Sequence, residues 1–258
     1  MTTSTVSFEE VKKAVFFPFR GEKWGIKVLI GSALTFGSFI IPIVPLLPIF
    51  GYFGQIMKSI IVKEQDPEMP AWNDWGTLFL EGIKLWGAVI IFMLPALILT
   101  IGGYALFMVL DLSMGFSAAA LAQSSSNPFP MVMVASIIGM VVGMAVMMLG
   151  IAVAVLTIVI LPPALGNMIA KGKFEAAFHF REWWPVFKAN LTGFILAVIL
   201  AMGMFYLLYM LAIILYATII LCFLLPFAIA AIFFISGATG FSVYAVAYRD
   251  GVRKLAVS

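Results

Sequence analysis

Four side chains outside the long apolar runs could act as acid and base: Asp74, Glu81, His179 and Glu182. A carboxylate beside an imidazole can exchange a proton near neutral pH. His179 is the sole histidine and lies outside those runs, which excludes a histidine-rich metal site or a Ser-His-Asp triad within them. Asp and Glu alone could still hold a hard cation at the surface. The sole cysteine, Cys222, is flanked by Leu221, Phe223 and Leu224, surroundings of an inert thiol rather than a reactive one. Asp111, the single charge between Lys84 and Lys171, reads as a helix-end marker rather than a proton relay. No phosphate-binding glycine loop, Cys-x-x-Cys pair or strand-to-helix glycine fingerprint occurs. The expectation is therefore no catalytic residue, no cofactor and no metal.

The most distinctive short stretch is Pro70-Ala71-Trp72-Asn73-Asp74-Trp75. Asn73 or Asp74 can cap a helix that begins near Trp75, and the two indoles suit a headgroup-level belt, ring in the apolar zone and N–H toward water. Trp183 and Trp184 close a second mixed stretch, in which Phe174, Phe178 and Phe180 interleave with Glu175, His179, Arg181 and Glu182. That mixture suits a helix lying in the headgroup plane. Trp72, Asp74, Trp75, Trp183 and Trp184 are thus the candidate contacts to lipid or to a partner. Ala135, Gly139 and Gly143 recur every four residues, a small-residue stripe that lets another helix approach closely. The neighbouring Met140, Met144, Met147 and Met148 read as adaptable filling rather than a metal path.

The elements that position these groups follow from composition. Of 258 residues, 64% are hydrophobic and 10% charged, whereas soluble domains run near half apolar and a quarter charged. No charge at all falls between Lys188 and Arg249. Stretches of about 20 apolar residues read as membrane spans, and lipid-exposed backbone must satisfy its own amides, which selects helices or closed barrels. Runs such as Ile137 to Leu161 lack the alternation of a barrel strand. The expected fold is all-α: a polytopic membrane helical bundle of about six transmembrane helices in three hairpins, each preceded by a cytoplasmic interfacial amphipathic helix. The chain divides as one integral domain: an N-terminal interfacial helix over 1–27, a hairpin over 28–62, an interfacial segment over 63–84, a hairpin over 85–170, an interfacial segment over 171–189 and a hairpin over 190–248.

Charge sets the orientation. All fifteen Lys and Arg fall on one side if an even number of crossings separates the clusters Lys12 to Lys27, Lys58 to Lys84, Lys171 to Lys188 and Arg249 to Lys254. Leu112 to Pro130, with Ser124, Ser125, Ser126 and Asn127 but no Lys or Arg, reads as a translocated loop. The positive-inside bias then places the clusters and both termini in the cytoplasm. Residues 28–62 leave about 17 residues for each of two passes, the short end of the usable range, with Pro42, Pro45 and Pro48 in the middle. Two passes and one broken helix both stay open. Glu9, Glu10, Lys12 and Lys13 before any long apolar run do not fit a cleavable signal peptide, and no lipid anchor is indicated.

Three segments look alike: Phe8 to Gly31, Pro70 to Ile90 and Phe174 to Ile195. Each passes from mixed charged and aromatic residues, through Trp with Lys nearby, into an apolar span. Together they hold all six tryptophans, Trp24, Trp72, Trp75, Trp86, Trp183 and Trp184. The return helices carry Pro48, Gly51, Lys58; then Pro162, Gly166, Lys171; then Pro226, Gly240, Arg249. An internal duplication and a common demand of short hairpins for aromatic, basic edges both account for this.

The early Trp24 followed by Lys27 and an apolar run, then Gly51-Tyr52-Phe53-Gly54, then Pro70-x-Trp72-x-Asp74-Trp75 with Phe79 and Gly82, resembles the prokaryotic membrane family called domain of unknown function 4013. The likeness is densest from Lys23 to Gly87, and Asn73 stands where that family's pattern has an acid. The resemblance implies a bacterial or archaeal multi-pass protein and no particular chemistry.

Three functions compete. A non-enzymatic scaffold, assembly factor or accessory subunit would use the aromatic cytoplasmic elements. A transporter or channel for a neutral or amphiphilic solute would use Gln55, Asn167 and Asn190 near the cytoplasmic ends. A lipid-modifying enzyme would use the four acid–base groups named above. The expected partners are the lipid bilayer and either another membrane protein or a second copy in a homo-oligomer. Nucleic acid is not expected, since the net charge of +3 follows from the one-sided basic clusters.

Overall fold

The computed structural model describes residues 8–121, 129–216 and 223–257. Cys222 and the loop residues Ser124, Ser125, Ser126 and Asn127 lie outside them. Among the described residues the only regular structure is helical: α1 (Phe8–Phe16), α2 (Trp24–Gly37), α3 (Leu46–Ile61), α4 (Trp75–Leu121), α5 (Phe129–Lys171), α6 (Phe180–Ala189), α7 (Leu191–Tyr216) and α8 (Leu225–Val257). Short 3₁₀ turns cover Phe17–Phe19 and Phe174–Phe178.

Among the described residues, four helical stretches are long and apolar enough to cross a membrane: Trp75–Ser113, Ser136–Lys171, Leu191–Ile213 and Leu225–Val257. Residues 28–62, expected as the first hairpin, hold most of two short helices joined by a turn, α2 and α3, of 14 and 16 residues. Pro42 and Pro45 lie in the turn between them, and Pro48 is accommodated in the first turn of α3, where a missing N–H costs nothing.

No helix forms over residues 64–74, where an interfacial segment was expected, because Pro67 and Pro70 lack an N–H and bias the residues before them to extended backbone. α4 starts at Trp75, where a capped helix was expected, and runs without a break past residue 85 and through Asp111 to Leu121, so Asp111 is mid-helix and exposed. The Ala118-Ala119-Ala120 run, which favours helix, explains why the expected loop from Leu112 is partly helical. The first and third look-alike segments each pair a short helix with a 3₁₀ turn, in opposite order, while the second is an extended strap before α4.

The chain forms two compact units, one of Met1–Val89 with Val159–Ser258 and one of Ile90–Ile158. In the first, α8 is the pillar against which α1, α2, α3, α6 and α7 pack. Small buried residues on it, Ala230, Ala238, Thr239, Ser242, Ala245 and Ala247, admit neighbours from several directions, as suits a helix enclosed on most sides. The second unit consists of parts of α4 and α5, packed along a seam of glycines, with outward apolar residues such as Ile98, Val109 and Val141 exposed.

Candidate functional site: an aromatic clasp and a charged cleft

The strap of residues 64–74 is held in place by its aromatic and proline groups. The Tyr52 hydroxyl, on α3, donates to the Pro70 carbonyl at 2.9 Å. Lys27 Nζ, on α2, donates to the Met69 carbonyl at 2.7 Å, and Trp72 Nε1 returns a bond to the Lys27 carbonyl at 3.0 Å. The Trp72 ring stacks on Tyr52 at 4.1 Å and 15° and on Trp75 at 5.6 Å and 26°. Such a desolvated indole, with its N–H satisfied, is a tertiary clasp joining α2, α3 and the strap. Asp74 Oδ1 accepts from the Thr77 amide at 3.1 Å, the N-cap of α4. Hydrogen bonds from the Thr77 side chain, then from its backbone, hold the Asp74 carboxyl below its ordinary range. Of the residues singled out here, Trp72 is half-buried while Trp75 keeps 42% of its surface exposed.

Beside the clasp lies an open cleft of about 810 Å³, between α3, the strap, the start of α4 and the end of α5. Lys27, Lys58, Lys63, Lys84 and Lys173 line it together with Asp66, Glu68, Asp74 and Glu81. Lys84 pairs with Glu81 at 3.4 Å, and Asp66 with Lys13 at 2.8 Å. Lys58, Lys63 and Lys173 are exposed and make no ion pair among the described residues. Apolar walls from Met168, Ile169 and Phe174 lower the local dielectric and concentrate the field of these ammonium groups. The convergence of the three lysines has no signal in the sequence, where they are scattered over more than a hundred positions. Only their place just inside or past the ends of α3 and α5 hints at it.

The second tryptophan pair behaves differently from the first. Trp183 is 2% exposed, with Nε1 donating to the Ala177 carbonyl at 3.0 Å, so it presents no contact surface. Trp184 is half-buried, stacked on Phe180 at 4.7 Å, with Lys188 Nζ 5.5 Å from its ring centre. The four acid–base candidates fall into two groups: Asp74 and Glu81 on the cleft, His179 and Glu182 at α6. Glu182 accepts from Lys171 at 2.7 Å and from Asn167 Nδ2 at 2.9 Å, while His179 Nδ1 lies 3.6 Å away. The Lys171 bond, then the Asn167 bond, pull the Glu182 carboxyl down to about 2, which keeps it a fixed anion rather than a proton donor.

Asn167 and Asn190, read from sequence as solute-lining, are buried and bonded. Asn167 also donates to the Ala176 carbonyl at 2.8 Å and accepts from the Tyr248 hydroxyl at 3.2 Å. Asn190 donates to the Ala247 carbonyl at 2.8 Å and accepts from Lys254 at 2.7 Å. Both tie other elements to α8, and of that trio only Gln55 lines the cleft. Along α5, Gly139 lies against the Leu110 side chain, and a Cβ on Gly143 would stand 2.9 Å from the Phe107 amide nitrogen. The Ala135 side chain lies outside the described residues.

No curated protein and no solved structure matches the chain. The profile of the family described as "Protein of unknown function (DUF4013)" matches residues 34–217, well over half of the chain, which therefore belongs to that family.

Proposed function

We propose that this is a non-enzymatic, multi-pass integral protein of a prokaryotic cell membrane, acting as a scaffold or accessory subunit. In this reading α4, α5, α7 and α8 cross the bilayer, both termini and the basic clusters are cytoplasmic, and the charged cleft receives an acidic segment of another membrane component. The observation that carries it is the set of exposed lysines Lys58, Lys63 and Lys173, without an ion pair among the described residues, on one cleft. A solute path is less well supported, because Asn167 and Asn190 already hold tertiary hydrogen bonds inside the first unit.

The test is purification from native membranes of the wild type and of a variant carrying Lys58→Gln, Lys63→Gln and Lys173→Gln. These exposed positions tolerate neutral replacement, so the variant should insert and fold normally. The expected result is a stoichiometric partner whose recovery falls at least tenfold in the variant and declines with added salt, as a screened charge contact does. Unchanged recovery in the variant would overturn the reading. So would a chain that purifies alone and, in vesicles, carries a neutral solute.

A further inference from the structure

We propose that the α2–α3 hairpin is re-entrant: its turn, residues 38–45, sits within the hydrocarbon of the bilayer and returns to the side from which it entered. Acyl chains are then the partner of this exposed surface. The inference rests on the membrane reading above and specifies what this hairpin does within it.

Length is the first argument. From Lys27 to Ile40 there are thirteen residue steps, and from Lys58 back to Ile43 fifteen. At about 1.5 Å per helical residue these legs reach roughly 20–23 Å, against a hydrocarbon core of about 30 Å. The tip would end inside the core, short of the far surface.

Surface chemistry is the second. The turn reads Ser38-Phe39-Ile40-Ile41-Pro42-Ile43-Val44-Pro45, and Phe39, Ile40 and Ile41 are 58%, 73% and 57% exposed. A tip emerging into water would carry polar residues, as the segment Ser124-Ser125-Ser126-Asn127 does. Here the only polar side chain is Ser38. Nothing charged occurs between Lys27 and Lys58.

Closure of the backbone donors is the third. Hydrocarbon offers no hydrogen-bond partner, so irregular backbone at that depth must close its own bonds. The amides of Ser38, Phe39, Ile40, Ile41, Val44, Leu46 and Leu47 all donate to carbonyls within the hairpin. Pro42, Pro45 and Pro48 have no N–H to satisfy. Among the described residues of the turn, the Ile43 amide donates no backbone bond and the carbonyls of Ser38, Phe39, Ile40 and Ile41 accept none, so it is the donors that the hairpin closes. The hydroxyls follow the same rule: Ser32 donates to Val28, Thr35 to Gly31 and Ser38 to Thr35, at 2.6–2.8 Å. Phe36, just before the turn, stacks on Phe227 of α8 at 4.3 Å and 16°, which anchors the tip beside an apolar stretch of α8.

The experiment uses the full chain with Cys222→Ala and single cysteines introduced by Ile40→Cys or Ile41→Cys, with Ser125→Cys and Ser258→Cys as controls. Sealed vesicles of each orientation are treated with a membrane-impermeant maleimide. The expected result is labelling of the two controls from opposite sides, while positions 40 and 41 label from neither side until detergent is added, at least tenfold slower than position 258. Labelling of position 40 from the same side as position 125 would mean two full crossings and overturn the proposal. Labelling from the same side as position 258 would mean a tip in water and also overturn it. Controls that label from one side only would instead defeat the crossing scheme itself, which separates the two failures. A second measurement covers perturbation by cysteine. Fluorescence of an Ile40→Trp variant, with the native tryptophans subtracted, should be quenched by lipids brominated along the acyl chain; absence of quenching would overturn the proposal.

Discussion

Two close helix crossings, one in each compact unit, use glycine in the same way and differ in what surrounds them. Where α3 meets α4, a Cβ on Gly51 would overlap the Leu78 carbonyl, and one on Gly82 would overlap the Leu47 carbonyl. Each glycine faces a residue one turn before the other, so the contact is reciprocal and runs backbone to backbone. Where α4 meets α5, a Cβ on Gly103 would meet Met147 and Gly143 backbone, Gly143 faces Phe107, and Gly150 faces Thr100. The first crossing stands beside the Tyr52–Trp72 stack and the hydrogen bonds to Met69 and Pro70. The second has apolar side chains around it and depends on dispersion at the seam. Small residues set how closely two helices come; the polar layer around them sets whether the pair can yield.

That comparison can be broken by substitution. The largest effect is expected for Gly82→Ala, whose methyl would occupy the position of a backbone carbonyl on a helix that the clasp prevents from retreating. Overpacking of this kind typically costs about 1–3 kcal/mol and here should reach about 3 kcal/mol or more, read as a loss of thermal stability in detergent. Gly143→Ala should be less costly, within about 1–3 kcal/mol, since its backbone neighbours stand at 2.9 and 3.1 Å and the pair is free to separate. Should Gly143→Ala prove as damaging as Gly82→Ala, the surrounding layer makes no difference. Gly139→Ala meets only the end of the Leu110 side chain, which can rotate, and should cost under about 1 kcal/mol.

The smallest effect concerns pH and belongs to the first unit alone. Because the folded-state value of Glu182 is depressed to about 2 from 4.5, its contribution is fully present above pH 4.5 and is lost as pH falls toward 2. Wild-type melting temperature should fall across that window more than that of Glu182→Gln. Equal slopes would show that the Lys171–Glu182–Asn167 link contributes no measurable stability.

Helix content and the apolar runs were legible in the sequence because both follow from local pattern. The extended strap was readable too, from Pro67 and Pro70, although an interfacial segment was expected there. What sequence could not supply were pairings between distant positions. The Gly139 and Gly143 stripe showed as a period of four, but its partners, Leu110 for Gly139 and Phe107 with Gly103 for Gly143, lie on another helix. Gly51 belongs to the return-helix pattern and, with Gly82, to the family pattern, but their reciprocity appears once α3 and α4 cross. The family match begins at residue 34, after Trp24 and Lys27, while Tyr52, Pro70, Trp72, Asp74 and Trp75 fall within it. These five belong to the clasp and its cap, which gives the pattern a packing reason. Trp183 read as a surface residue because amphipathic composition does not reveal which side of a short helix faces inward.

The position of α8 in the chain order has a consequence for biogenesis. Thr239 on α8 donates to the Val15 carbonyl at 3.4 Å, a contact between residues 224 apart in sequence. At about 5–20 residues per second, the ribosome delivers Thr239 on the order of 10–45 s after Val15. During that interval α1, α2 and α3 exist without the helix that they will enclose, and their inward faces, Ala14, Gly31, Phe53 and Ile56 among them, have no α8 to cover them. Packing of the first unit thus waits on one of its last segments, and completion of α8 is the event that commits the N-terminal helices to their native neighbours.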